Sequence, residues 1–458
     1  MRSRPRLRIA ICGGGIGGLS LAVVLGKYCS DVEIDVYEVK PQFTEIGAGV
    51  SVWNRTWAIM QTLGLDEKLV KMAAQVPSKE LKPAHCYRKS DPGSEGFEFI
   101  QLVVPYSFVN LHRADVLKVL VEALPPPSMF HAHFNKRMVS YTAKSDSVLL
   151  HFADGTSGEA DMLVGADGIK SATRATMYSA LADKVQAGED EKNKLRGFVN
   201  ASWAGLYAYR ALIPTEKLLA AVPGHQAATR MMFWCGKSKH VVSYPISQGR
   251  LVNIVPFVTA ADAEGKPYDG PTVVDVSKQK LIDEYRGWEP ELLQLLESAD
   301  NVTKWAVSHV RDLPTYVDGL VTILGDAAHA TTPHLGAGGG QAVEDAYILG
   351  KLLASPIATT SNLPSVLRIY DAVRRPYANH IVERSYTLGR LVEFIWAPDC
   401  IDVARARNGS KEELQIIGRE IRKKWDIHWA SVPDDDWKEA ERMLRELSEV
   451  PGQVIARM

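Results

Sequence analysis

The glycines of Gly13-x-Gly15-x-x-Gly18 constrain this chain more than any other feature. Residues 7–12 are apolar enough to be a buried strand, and residues 18–26 read as a helix packed tightly on it. The first glycine makes the turn between them. The second lets the backbone approach a pyrophosphate, and the third lets helix and strand close together. Residues 32–38 alternate and end on Glu38, where a carboxylate can accept from ribose hydroxyls. This βαβ opening predicts a dinucleotide cradle made by Gly13, Gly15, Ile16, Gly17, Gly18 and Glu38, with Val39 and Lys40 at its lip. A glycine-rich turn with no ligand is the plain alternative, and the strand, helix and acid around the motif weigh against it. The motif alone does not separate FAD from NAD.

Composition removes several other classes. With 458 residues, 46% of them apolar, the chain is long enough for two or three packed units. A net charge of -1 leaves no basic excess for nucleic acid or an anionic membrane. Five scattered cysteines without a CxxC argue against a disulfide framework or a zinc site and for a reducing, cytoplasmic setting. The arginine-rich residues 1–8 resemble a signal peptide start, but the glycines that follow break the apolar run. No apolar stretch reaches the length of a membrane span. No HExxH, GxSxG or clustered His/Cys spacing appears, so no metal site and no hydrolase is expected.

Further along, residues 110–124 read as a helix and 161–166 as a buried strand. Residues 183–196 read as a charged surface loop or seam. From residue 197 to about 253 short strands replace the βαβ rhythm, which predicts an antiparallel sheet. Residues 320–324 return to a buried strand, followed by a loop and a long helix from about Gln341. The tail from about Arg390 has helical spacing. Its stripe of Trp425, Ile427, Trp429 and Trp437 suits a core or an interface better than a cofactor contact.

Three more motifs stand in order. They are Leu111-His112-Arg113-Ala114-Asp115, the stretch from Gly165-Ala166-Asp167-Gly168 to Ser171 and Arg174, and Gly325-Asp326-Ala327-Ala328-His329 running on to Pro333-His334 and Gly338-Gly339-Gly340. With the opening turn, they make the chain resemble the flavoprotein aromatic hydroxylases of the para-hydroxybenzoate hydroxylase fold, in the salicylate hydroxylase-like branch, over about residues 7–385. The resemblance implies non-covalent FAD, NADH or NADPH as a transient reductant, and oxygen delivered through a C4a-hydroperoxyflavin to a small phenolic substrate. It implies that Asp326 accepts from the flavin ribityl chain, that Arg113 and Gly49 contact FAD, and that Pro333 and Gly338 to Gly340 face the flavin ring. Asp167 belongs to an element linked to both FAD and NAD(P)H, and also suits a helix cap. Where many relatives place Asn on the following helix, this chain has Gln341 and Ala342.

The expected architecture is therefore α/β: a doubly wound FAD domain built from residues 1–75, 110–195 and 313–385. Residues 76–109 and 196–312 supply the substrate sheet, and 386–458 form C-terminal helices. A phenol to be attacked as phenolate needs a fixed cation and a proton path. The resemblance points to Arg210 as the cation and Tyr244 as orienting the substrate oxygen, and His334 is placed to relay the proton. Each also has a plain reading: an ion pair for Arg210, a sheet residue for Tyr244, a structural imidazole for His334. His329 is expected to be structural. The expected partner is a small phenol, with no nucleic acid or membrane, and a monomer or homodimer. A hydroxylase of phenolic polyketides and a non-catalytic binding protein on the same scaffold are the alternatives.

Overall fold

The computed structural model describes residues 5–44, 49–73, 78–106, 108–186, 188–266 and 268–449. The expectation for the arginine-rich start lies partly outside these, at residues 1–4.

Two large sheets organise the chain. The first has six strands, in the order Val317–Asp318, Val321–Ile323, Met162–Gly165, Leu7–Cys12, Val32–Tyr37 and Phe130–His133. Every neighbouring pair is parallel except the first. Leu7, Ile9, Ala10 and Ile11 are all fully buried, as expected for a parallel strand covered on both faces. The helices Ile16–Tyr28 and Gly338–Ala354 pack against each other beside this sheet. The strand Leu7–Cys12 thus pairs on one side with Met162–Gly165, more than 100 residues away, and the C-terminal ends of the parallel strands open on one crevice, where α/β sheets bind ligands.

The second sheet has eight strands, ordered Val273–Val276, Val302–His309, Ser202–Pro214, Leu251–Thr259, Lys239–Ile246, Met231–Gly236, Lys82–Lys89 and Phe97–Val104. It is antiparallel apart from one junction, Met231–Gly236 beside Lys82–Lys89, which is parallel. The sheet is antiparallel, as expected, except at that junction. The two strands belong to different chain segments, so no hairpin dictates their direction.

Three local expectations also change. Residues 110–112 belong to the strand Val109–His112, and the helix begins at Arg113. Residues 183–196 are largely helical: one helix ends at Lys184, and Glu189–Arg196 forms another. Its acids fill the first turn and its cations the last, which complements the helix dipole. The long helix after the glycines starts at Gly338 rather than Gln341, so the glycines form its first turn. The tail is helical, as expected. Lys411–Trp425 packs on the strand Phe97–Val104, and Pro433–Glu449 packs on the helices Asn54–Leu63, Gly338–Ala354 and Leu363–Val392.

A buried ionic network fixes the helices around the crevice. Arg374 is fully buried; it donates to Asp345 (2.9 Å), Glu344 (3.3 Å) and Gln341 (2.7 Å). Arg55 pairs with the same Glu344 at 2.9 Å. Asp345 also accepts from the backbone NH of Gly325 at 3.0 Å and holds the His329 ring. Arg374→Ala would leave Asp345 and Glu344 short of a partner in a dry interior. It is expected to lower the unfolding free energy by about 3–5 kcal/mol, measured by urea denaturation.

Candidate active site

The opening turn is built by close backbone contacts. A Cβ on Gly18 would lie 2.1 Å from the carbonyl oxygen of Gly13. A Cβ on Gly13, whose φ is +110°, would lie 2.2 Å from the carbonyl oxygen of Ala166. Both clashes are with backbone, which cannot swing aside. Beyond them, the helix Ile16–Tyr28 starts at Gly15 with no side-chain cap and no acid in its first turn. Its free NH groups, at Gly15, Ile16 and Gly17, face a large cavity, an arrangement suited to phosphate. Glu38, 8% exposed, accepts from the NH of Gly14 (2.8 Å) and of Lys40 (2.9 Å). It holds the turn's outer rim, and each oxygen keeps a lone pair for a hydroxyl. Val39 is exposed and the Lys40 ammonium donates to the Thr44 carbonyl, so neither side chain reaches the cavity.

The cavity, about 1240 Å³, runs along the seam between the two sheets. Gly49, Arg113, Asp326, Pro333, His334, Gly338 and Gly339 line it together with the opening turn. Asp326 begins the short helix Asp326–His329 after Gly325, whose φ is +60°, and its carboxylate stays open to the cavity. The helix Gly338–Ala354 also starts with no side-chain cap and no acid, so its NH groups can meet negative charge. Gly340 serves packing: a Cβ there would lie 2.5 Å from the hydroxyl of Thr56. Gln341 turns away into the Arg374 network, and Ala342 takes the cavity side. His329 is structural, as expected, held by Asp345.

Asp167 is occupied by its own loop. It accepts from the Ser171 hydroxyl (2.5 Å) and from the NH and hydroxyl of Thr173 (both 3.0 Å). It secures the start of the helix Ala172–Lys184 beside Gly168, Ile169 and Lys170, which line the cavity. Arg174, 1% exposed, donates to the carbonyls of Ala327 (2.9 Å) and Ile169 (2.7 Å), and so ties this loop to the Asp326 turn.

The eight-stranded sheet supplies the opposite wall. The Arg210 guanidinium lies 4.5 Å above the centre of the Trp305 ring. Its Nε is buried without a hydrogen bond, and among the described residues no carboxylate pairs with it. Burial lowers its pKa, as does the nearby charge of Arg113. Tyr244 projects over Gly49, where a Cβ would lie 3.2 Å from the tyrosine hydroxyl. Burial pushes the Tyr244 phenol up to about 12, against the pull of Arg210, so it stays protonated. His334 is 6% exposed, lies flat on Gly389, and neither ring nitrogen makes a well-formed hydrogen bond. Burial pushes it down to about 3 and leaves it neutral. Val242, Val255, Phe257, Phe233 and Leu335 complete an apolar lining.

Several neighbours carry weaker sequence signals or none. His240 is two strand steps from Tyr244 on one face, so period-two alternation is a usable signal for it. Its ring stacks on Phe257 at 4.5 Å and lies 5.2 Å from His334. Trp305 and Glu393 have no local signal. Trp425 is core, as expected, but it also lines the cavity. Away from the cavity, Glu33, Asp35 and His131 gather on two neighbouring strands with ligand atoms within 4.8 Å, a grouping that ligand spacing along the chain does not reveal.

Flavin adenine dinucleotide fits these residues. Bare glycines line the cavity at both helix starts, Asp326 lines it, Glu38 braces the opening turn through the NH of Gly14, and the cavity's volume exceeds the roughly 300–1,000 Å³ of a single-ligand site. Gly338 offers a clean test. A Cβ there meets nothing closer than 3.5 Å in the protein, yet would point to within 3.9 Å of an Asp326 carboxylate oxygen. Gly338→Ala is therefore expected to keep the melting temperature of the FAD-free protein and to weaken FAD binding by about tenfold or more, measured by flavin fluorescence quenching.

Comparison with known proteins agrees. Residues 6–385 match the FAD binding domain family. Salicylate hydroxylase of Pseudomonas putida is 33% identical over 444 residues, 95% of this chain and 94% of that protein. The 6-methylsalicylate 1-monooxygenase of Aspergillus terreus is 32% identical over 400 residues, 85% of this chain and 84% of that protein. A solved salicylate hydroxylase substrate complex superimposes with a TM-score of 0.80 at 30% identity, covering 96% of this chain and 98% of that one. With the cradle, the motif order and these relatives together, this chain belongs to the FAD-binding-domain family, among its flavin-dependent aromatic hydroxylases.

Proposed function

We propose that the chain hydroxylates a single-ring phenolic acid of the salicylate type, using NADH or NADPH and oxygen. One observation carries the choice of substrate: Arg210 is a half-buried cation facing the cavity, its Nε sequestered without a hydrogen bond and with no acidic partner among the described residues, set on Trp305 and beside Tyr244 in an aromatic-walled cavity. A partly desolvated, unpaired charge is costly, and a second arginine nearby makes it costlier. An anionic aromatic ligand relieves both.

Flavin reduced by NAD(P)H supplies an electrophilic oxygen when bound. The chain's own residues must then make the ring electron-rich, hold it in place and keep water out. Phe257, Val255, Val242 and Trp305 hold the ring by apolar contact. Arg210 stabilises the carboxylate or the phenolate, and remains charged at any working pH. Tyr244, protonated, donates a hydrogen bond to the substrate oxygen. His334, neutral and unpartnered, accepts the phenol proton and so raises the electron density of the ring. Gly49 leaves room for Tyr244 to approach the flavin side. Asp167, with its loop, stands where the nicotinamide reductant approaches. The setting that accompanies this reading is a cytoplasmic monomer or homodimer.

A larger phenolic metabolite is the second reading, favoured by the cavity's continuation past Trp203, Tyr268 and Lys170. A panel of hydroxybenzoates and larger phenols, assayed by NAD(P)H consumption with product identification, separates the two. Strong stimulation by a salicylate-type acid is expected; oxidation indifferent to every phenol would defeat the proposal. Arg210→Ala is expected to retain FAD while losing about 10²–10³-fold in kcat/KM. Full activity in that variant would mean that Arg210 does not hold the substrate anion.

A further inference from the structure

The wall behind His334 contains a buried acid–base pair that binding and packing leave unexplained. His240 is fully buried and its Nδ1 lies 2.7 Å from an oxygen of Glu393, which is 1% exposed. The other ring nitrogen of His240 has no hydrogen-bond partner. His334, which lines the cavity, lies beside it with ring centres 5.2 Å apart. The three groups therefore form a line from the cavity into the protein: His334, His240, Glu393. They come from three distant parts of the chain, and Glu393 lies beyond the family-matched residues 6–385.

Glu393 is held in place with some care. It caps the long helix Leu363–Val392, and its carbonyl accepts from the NH of Ser238 at 2.9 Å. The next residue, Phe394, has a φ of 51° and is 1% exposed. A bulky side chain in that region costs energy and persists only where the surroundings enforce it. A carboxylate buried at such a point for packing alone would be a poor choice, since an apolar residue would serve better.

We propose that Glu393 is a positioning residue for phenol ionisation: acting through His240, it gives the proton taken up by His334 a place to go. This rests on the phenol hydroxylase reading above. Protons and charge balance. The phenol O–H bond breaks and its proton goes to one nitrogen of His334; the two imidazoles are not hydrogen-bonded at rest, and a ring rotation that brings them within reach lets the proton on the other nitrogen pass to the free nitrogen of His240. The Nδ1 proton of His240 then passes to the Glu393 carboxylate. Both imidazoles end neutral, Glu393 ends as a carboxylic acid, and one negative charge has moved to the phenolate beside Arg210. No new charge is created in the dry site, so the transfer avoids a large desolvation cost.

The surroundings suit this. Burial pushes Glu393 up to about 7, against the pull of the Thr259 hydroxyl, His334 and Arg390. It is thus divided between acid and carboxylate near neutrality. The other titratable or charged groups near it are Tyr285, whose hydroxyl donates to the carbonyls of His240 and Phe257, Cys235, and Lys89, which lies over Phe394. Burial raises Tyr285 and Cys235 well above their usual ranges, so both stay protonated and neutral. Arg390 is engaged by Glu264.

The experiment uses the FAD-loaded enzyme and a chromophoric phenol, 4-nitrosalicylate, whose absorption reports its own ionisation in the site. Glu393→Gln keeps the size and the hydrogen bond to His240 but cannot take the proton. The ionisation midpoint of the bound phenol is expected to rise by about one pH unit or more, with FAD content and melting temperature unchanged. Glu393→Asp is expected to restore part of the shift. An unchanged midpoint in Glu393→Gln would overturn the proposal. Should that variant fail to fold, His240→Gln gives the same reading: a raised midpoint supports the relay and an unchanged one sinks it. Failure of the wider hydroxylase reading looks different, since the wild-type enzyme itself would then show no phenol-stimulated NAD(P)H oxidation.

Discussion

Three backbone segments meet where no side chain fits. The carbonyls of Gly13 and Ala166 stand about where Cβ atoms of Gly18 and Gly13 would be, so strand, turn and helix close only with glycine at these points. That contact sets where the helix Ile16–Tyr28 begins and leaves its first NH groups bare toward the crevice. The second cradle repeats the solution at Gly338, where a helix again starts uncapped on the same cavity. Two helix starts aimed at one space make a site for a long anionic ligand.

The rest of the molecule holds these two starts in register. Arg374 and Arg55 bind Glu344 and Asp345 on the second helix, and Asp345 reaches back to Gly325 and His329. Arg174 joins the Asp167 loop to the same turn. Opposite them the second sheet presents Arg210, Tyr244 and an apolar floor. The division of labour is physical. In the proposed reading, the parallel sheet supplies backbone donors and fixed acids for the cofactor, and the mixed sheet supplies side chains on alternate positions for the substrate ring.

Much of this is legible in the sequence because it is local. The strand at residues 7–12, the glycine turn and the acid at 38 lie within one βαβ unit, and period-two alternation places Arg210 and Tyr244 on strands. The same alternation, extended two steps back from Tyr244 along its face, reaches His240. What escapes is non-local or atypical. Arg55 and Glu344 are 289 positions apart, and His240 and Glu393 are 153 apart, so no window contains either pair. The helix Glu189–Arg196 has charge but no apolar stripe and so reads as a loop. Gly338 to Gly340 read as loop because glycine costs up to about 1 kcal/mol per residue in a helix. At this site the need for a bare, closely approached first turn outweighs that cost. The parallel junction between Met231–Gly236 and Lys82–Lys89 depends on how distant segments meet, which alternation alone does not encode.

Everything turns on whether both cradles grip the same molecule. The direct measurement is the flavin content of the purified protein, by absorbance before and after denaturation, followed by reconstitution of FAD-stripped protein. One FAD per chain, released on unfolding and taken up again on mixing, is the predicted result. A colourless protein that neither retains nor takes up FAD would contradict it.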